Sequence, residues 1–331
     1  MTAQTPSNLN LSPDPNTQNN INQTISSVGS VSSYCASVLA TNIPQSLPGN
    51  IYTQLNTALN SVKSHSTYWM NDLGPMVSAT FPDMVLEFSQ QFSVSSNAIT
   101  TILNTIINNQ HGVATQAQQT QISRQIASLT QLIDQQSTML ESIQGNLINF
   151  NTNLEQDRST LSTSSSDIQH ILNQNGADQA ALQRQIQQVQ ADIQSDQTMM
   201  RYMWLLGPLP EWYLYNQIQN LQAQLTQLLN GLSADQQQNA TLMMVGNSFD
   251  DLVSQNLQTQ TIYTSIINSW SVLHGKYTAV ENALNKANGN NVAPLLQQVD
   301  MSTANREWQQ LAQFVQNLKA QGEQHRREAG V

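Results

Sequence analysis

From Ile122 to Asp157 the apolar positions recur at alternating steps of four and three: Ile122, Ile126, Leu129, Ile133, Leu140, Ile143, Leu147, Phe150 and Leu154, with Gln136 and Asp157 in register but polar. That spacing predicts a long helix with a coiled-coil seam. The register continues through Leu161, Ile168 and Ile171, slips near Gly176 and resumes at Leu182, Ile186, Val189 and Ile193. A mirror pattern follows at Ile218, Leu221, Leu225, Leu228 and Leu232, then at Leu242, Val245, Phe249 and Leu252, then at Tyr263, Ile266, Trp270, Leu273, Tyr277, Val280 and Leu284. Two arms, 115–206 and 211–287, are expected to run out and back, each about 115–140 Å long if unbroken.

Between the arms lies the most apolar stretch of the chain, Met199 to Tyr215. It sets twelve large side chains in seventeen positions, interrupted only by Arg201, Gly207, Pro208, Pro210 and Glu211. The Gly-Pro-x-Pro at its centre forbids a continuous helix, because proline lacks an amide donor and its ring clashes with the preceding turn. A hairpin apex at the far end of the rod is expected, with MWLL and WYLY as the one candidate pair of short strands. Burying twelve such side chains is worth about 20–30 kcal/mol, so much of this surface must be covered in water. The third helix and the proline-framed segment 74–82 are the expected cover.

Methionine suits a surface that repacks between two partners, and Trp and Tyr are the rings that settle at a membrane–water boundary. The candidate membrane- or partner-binding head is therefore Met199, Met200, Tyr202, Met203, Trp204, Leu205, Leu206, Pro208, Leu209, Pro210, Trp212, Tyr213, Leu214 and Tyr215. Each half of it has fewer apolar residues than the roughly 9–11 of a spanning strand or 20 of a spanning helix, so the head anchors without crossing. Crossing would need another element, and the uncharged stretches 18–40 and 88–109 are the candidates. The alternative is a core plug that caps a bundle and never moves.

The flanks read as follows. Residues 1–17, with Pro6, Pro13 and Pro15, are expected to be disordered. Helices are predicted over 18–40, 51–72 and 83–109, with a linker framed by Pro75 and Pro82, and a turn falls near Gly289. A last helix over 301–320 starts at Ser302 as its cap, and 321–331 is read as a flexible tail. The fold class is all-α: an elongated bundle of about five helices, with two very long antiparallel helices and a small apolar head as a short hairpin or helical tip. The domain division is a tail bundle, 18–198 and 216–320, carrying the head 199–215.

Composition narrows the function. Only 10% of residues are charged and the net charge is −10, with no basic patch, so nucleic acid is not an expected partner. No residue from Asn16 to Val62 is ionised at neutral pH, which lets that segment leave water cheaply, though a packed bundle helix is the plainer account. Cys35 is the lone cysteine, best read as a small core residue, and His65, His111, His170, His274 and His325 are scattered without metal-ligand spacing. Asp250 and Asp251 sit side by side without the spacing of a calcium loop. No catalytic, metal or cofactor motif is present, so neither an enzyme nor a cofactor is expected. The N-terminus lacks a basic and apolar leader, and no run reaches the length of a transmembrane helix, so a soluble protein without a recognisable signal peptide is expected.

In layout the chain resembles the α-helical pore-forming toxins of the cytolysin A type, including the haemolysin BL and non-haemolytic enterotoxin components and their Gram-negative multi-component relatives. The stretches that carry the resemblance are FNTNLEQDRSTL (150–161), GADQAALQRQIQQVQADI (176–193), IYTSIINSWSVLHGKYTAVENAL (262–284) and STANREWQQLAQFVQNL (302–318). It spans about 18–320 and implies a five-helix tail, a head that rearranges on lipid, and a ring pore built with proteins of the same fold. The partners it implies are the lipid membrane of a target cell and homologous toxin components, in a homo- or hetero-oligomer. The head here is short and carries Arg201 and Glu211, where many relatives have a longer Ala/Gly/Val-rich tongue, which favours one component of a multi-part toxin. The other class kept open is a non-enzymatic coiled-coil spacer with a fixed apolar plug.

Overall fold

The structure, a computed structural model, describes residues 10–43, 45, 49–109, 112–163, 200–230 and 233–331. Met199, Leu232, the seam positions over 168–193 with the slip at Gly176, and His111 and His170 lie outside the described residues. The elements in chain order are α1 (Thr17–Ala40), α2 (Gly49–Tyr68), a π-turn (Trp69–Leu73), α3 (Gly74–Asn109) and α4 (Gln116–Thr163), then a 3-10 turn (Trp204–Leu206). α5 (Glu211–Asn230), α6 (Ala234–Lys286), α7 (Gly289–Val299) and α8 (Met301–Ala329) follow. No strand occurs among the described residues, and the protein is all-α as its periodicity predicts.

Two compact units share these helices: one takes residues up to Asn22, Thr80–Ser142 and Tyr263–Leu318, the other Gln23–Ala79, Ile143–Ile262 and Lys319–Val331. Both draw on α4 and α6, and in each the two helices run antiparallel. In the first unit Gln119 Nε2 donates to the Leu284 carbonyl (2.8 Å) and Trp270 Nε1 donates to Gln136 Oε1 (3.2 Å). In the second Asn256 Nδ2 donates to the Leu147 carbonyl (3.3 Å).

The α4 seam is buried at every position from Ile122 to Asp157, the two polar ones included. Gln136 is satisfied at both ends of its amide: besides accepting from Trp270, its Nε2 donates to the Met84 carbonyl (3.2 Å) and to Glu87 Oε2 (3.0 Å). Asp157 accepts from Ser61 Oγ (2.8 Å) and pairs with His65 Nδ1 (2.6 Å) on α2. A polar side chain in an apolar seam is tolerated only with its partners in place, which is why such positions fix register.

The core of the first unit is aromatic. Phe88 of α3 lies 4.5 Å from Trp308 of α8 and 5.7 Å from Tyr277 of α6, with Trp270 6.2 Å from Trp308, in the tilted and edge-on geometries that ring quadrupoles favour. Trp308 Nε1 donates to the Leu11 carbonyl (2.9 Å), and Leu11 is fully buried. The expected disorder over 1–17 therefore does not extend to 10–17, where an apolar residue and a backbone acceptor dock the chain before α1 begins.

In the second unit all eight residues from Val31 to Val38 of α1 are buried. An uncharged helix sheathed on every side must hide its hydroxyls as well as its apolar face. It does so against its own backbone: Ser33 Oγ donates to the Gly29 carbonyl (2.9 Å) and Ser37 Oγ to the Ser33 carbonyl (2.9 Å). Cys35 is fully buried here, and burial pushes its thiol up to about 12 from the ordinary 9.0. A thiol held neutral contributes stability that is whole below pH 9.0 and is lost as pH rises toward 12. We expect iodoacetamide at pH 8 to leave Cys35 unmodified in the folded protein and to label it at the rate of unfolding. Rapid labelling without urea would show that α1 opens on its own.

Three boundaries differ from the sequence reading. Pro75 and Pro82 frame no linker: helix runs from α2 through the π-turn into α3. In the π-turn the Gly74 amide bonds back to the Trp69 carbonyl, and the inserted residue resets the ladder just where Pro75 lacks a donor. α8 is capped by Asp300, not Ser302, since Asp300 Oδ1 accepts from the Thr303 amide (3.1 Å). The residues read as a flexible tail continue α8 to Ala329.

Candidate functional site

The apolar segment folds as helix rather than as paired strands. Residues 200–203 are helical, Trp204–Leu206 tighten into the 3-10 turn, Gly207 leaves the helix at a positive φ (94°), and α5 opens at Glu211. Alternation in a strand would put Trp212 with Leu214 on one face; instead the structure buries Tyr213 and Leu214 and leaves Trp212 and Tyr215 bare, a helical pattern.

The segment is sorted into a sealed part and an open part. Met200, Met203, Trp204, Leu205, Leu209, Tyr213 and Leu214 are buried, Trp204 and Leu205 completely. Tyr202, Leu206 and Pro210 are half-buried and Pro208 is exposed. Trp212 is 52% and Tyr215 61% exposed, three residues apart on α5 and hence neighbours on one helix face.

What covers the sealed part comes from three directions within the second unit. The Trp204 ring lies against Gly74, where a Cβ would stand 2.9 Å from Cζ3 and 3.0 Å from Trp69 Nε1, so only glycine lets both indoles approach. Ser78 Oγ of α3 reaches the Arg201 carbonyl (3.5 Å), which places the start of α3 against the segment as expected. α1 contributes Gly29, beside the Arg201 side chain. The neighbours are therefore not those of a free apex: a cluster of this size is cheapest to keep in water when the chain's own helices cover it.

The third direction was missed by sequence reasoning. On α8, Arg326 Nε donates to the Met203 carbonyl (3.2 Å), and Nη2 donates to the carbonyls of Gly207 (2.6 Å) and Pro208 (3.2 Å). The Met203 carbonyl belongs to the last helical turn and those of Gly207 and Pro208 follow just beyond it, a helix C-terminus at which a cation is favoured. Partial burial pulls the guanidinium pKa down, though Arg keeps its charge. One turn earlier Gly322 is buried, and a Cβ there would run into the Tyr202 carbonyl oxygen. The signal was present: Leu311, Val315, Leu318, Gly322 and Arg326 continue one seam at steps of four and three, and a glycine in a seam marks backbone close approach.

Two buried donors of the segment, Arg201 Nε and Trp204 Nε1, have no acceptor among the described residues. The described histidines pair with carboxylates: His65 joins Asp157, His274 Nε2 lies 3.0 Å from Asp134 Oδ1, and His325 Nδ1 lies 3.3 Å from Glu328. Among the described residues no three His, Cys, Asp or Glu side chains group as metal ligands, and no helix is long and apolar enough to cross a membrane. A groove of about 490 Å³ between α3 and α4 is lined mainly by glutamines, and its one carboxylate, Glu87, is taken by Gln136.

The fold matches solved toxin components over nearly the whole chain. The Bacillus cereus HblL1 toxin component aligns with TM-score 0.64 at 12% identity, covering 94% of this chain and 97% of that one. Soluble SmhA, of the tripartite α-pore-forming toxin Smh from Serratia marcescens, aligns with TM-score 0.61 at 12% identity, covering 96% of each. AhlB, of the tripartite toxin AHL from Aeromonas hydrophila, aligns in its soluble form with TM-score 0.55 at 16% identity and 93% of each chain, and in its pore form with TM-score 0.55 at 16% identity, covering 92% of this chain and 96% of that one. No curated protein sequence matches the chain. The profile of the Bacillus haemolytic enterotoxin (HBL) family matches residues 16–196, more than half of the chain, and the protein belongs to that family.

Proposed function

We propose that the chain is one component of an α-pore-forming toxin: a soluble protomer that stows residues 200–215 against its own helices and engages a target membrane and homologous components on the way to an oligomeric pore. The observation that carries this reading is the division of one segment into a sealed apolar interior and two bare interfacial rings, Trp212 and Tyr215, in a chain of the HBL family. AhlB has been solved in soluble, pre-pore and pore forms, and SmhA and AhlB belong to tripartite toxins. By analogy this chain acts after export, alongside two proteins of the same fold, without cofactor or catalysis. Since no described helix spans a bilayer as it stands, pore formation requires helices to regroup.

Flotation with phosphatidylcholine vesicles tests the membrane contact. Trp212→Ser with Tyr215→Ser removes the exposed rings, at the cost only of the Trp212–Tyr213 edge contact at 6.0 Å, and should cut the vesicle-bound fraction about tenfold or more. A double variant that floats as well as its parent would remove α5 as the contact, and a parent that never floats, with or without companion components, would favour the fixed plug.

A further inference from the structure

We propose that the end of α8 is a latch that keeps the apolar segment stowed, with Arg326 as its fastening. The proposal concerns how the segment proposed above to meet the membrane is released, and it rests on that reading for its purpose but not for its geometry. Beyond Leu318 the only buried residue of α8 is Gly322. The last turns thus bury no apolar side chain of their own; they are held to residues 200–208 by the guanidinium on three carbonyl oxygens, by the close backbone approach at Gly322, and by the Tyr202–His325 ring contact at 6.0 Å. A helix end that buries so little apolar surface, and whose side-chain hydrogen bonds to the segment come from Arg326, belongs to the part of a protein that opens locally at low cost.

The segment it holds is also primed to leave. Arg201 Nε and Trp204 Nε1 are buried without acceptors among the described residues, and each such donor costs free energy that contact with water or another acceptor would return. Loss of the Arg326 bonds in turn leaves the part-buried carbonyls of Met203 and Gly207 without that donor, and they then also gain by meeting water. Release of α8 and exposure of residues 200–209 are therefore one event.

Hydrogen exchange read by mass spectrometry tests this on the full chain. In Arg326→Ala, exchange over 200–209 and 320–329 should rise together by about tenfold or more while 265–284 stays as in the parent, with Arg326→Lys between the two because an ammonium lacks the fork. Protection of 200–209 unchanged in Arg326→Ala would overturn the latch. Should that variant unfold outright, the parent decides: a latch requires 200–209 and 320–329 to open with one common free energy, and opening of the first while the second stays protected would overturn it. The same samples with phosphatidylcholine vesicles separate the two proposals. Arg326→Ala that frees 200–209 but does not bind vesicles keeps the latch and removes the membrane reading; a parent that binds vesicles beside an Arg326→Ala with parental exchange removes the latch alone.

Discussion

Trp308→Ala is expected to cost about 3–5 kcal/mol, because it empties the centre of an aromatic cluster that no neighbouring side chain can refill. Trp308 is fully buried, lies 4.5 Å from Phe88 and 6.2 Å from Trp270, and its indole N–H holds the Leu11 carbonyl at 2.9 Å. Phenylalanine in its place separates the two contributions. It restores most of the ring volume but leaves the Leu11 oxygen without its donor, so Trp308→Phe should still cost about 1–3 kcal/mol. Urea unfolding reads both, as a lower midpoint with an unchanged slope. A Trp308→Phe midpoint equal to the parent's would mean that the N-terminal arm is held by something other than this bond.

Trp204 should behave differently under the same pair of substitutions. Trp204→Ala removes a fully buried ring that fills the space over Gly74, and is expected to cost about 3–5 kcal/mol. Trp204→Phe loses some contact area but also removes a buried N–H that has no acceptor among the described residues, so the two effects oppose and stability should stay within about 1 kcal/mol of the parent. Two tryptophans of equal burial thus respond unequally to phenylalanine. If Trp204→Phe proves as costly as Trp308→Phe, the indole N–H of Trp204 is bonded in solution, and the segment is more firmly seated than its hydrogen bonding indicates.

Much of the architecture was legible in the sequence. The α4 seam was read position by position, Gln136 and Asp157 included, because a coiled-coil register repeats local information over many turns and each repeat corrects the last. The proline-framed linker was misread for the opposite reason: whether Pro75 breaks a helix depends on one extra residue in the turn before it, and a single inserted residue has no periodic signature. The last helix, read over 301–320, runs on because Gly322, a residue of low helix propensity, here serves to admit another backbone. The segment 200–215 was identifiable from composition, but composition cannot say which of its rings are sealed and which are bare. That division depends on the helical phase of α5 and on cover supplied by Gly29, Gly74 and Arg326, residues far away in sequence.

The two polar positions of α4 stand 21 residues apart, three full heptads, each with partners only at its present place. A creep of α4 by one heptad would set the Gln136 amide in the apolar site of Leu129 or Ile143, away from its present partners, and a creep that set Asp157 in the site of Phe150 would bury its carboxylate beside hydrocarbon at a high cost. Intermediate registers are thereby closed to the long helices. Any large change of shape has to let go of the old pairing entirely before taking up a new one, so conversion should be all-or-none in each molecule rather than a gradual ratchet.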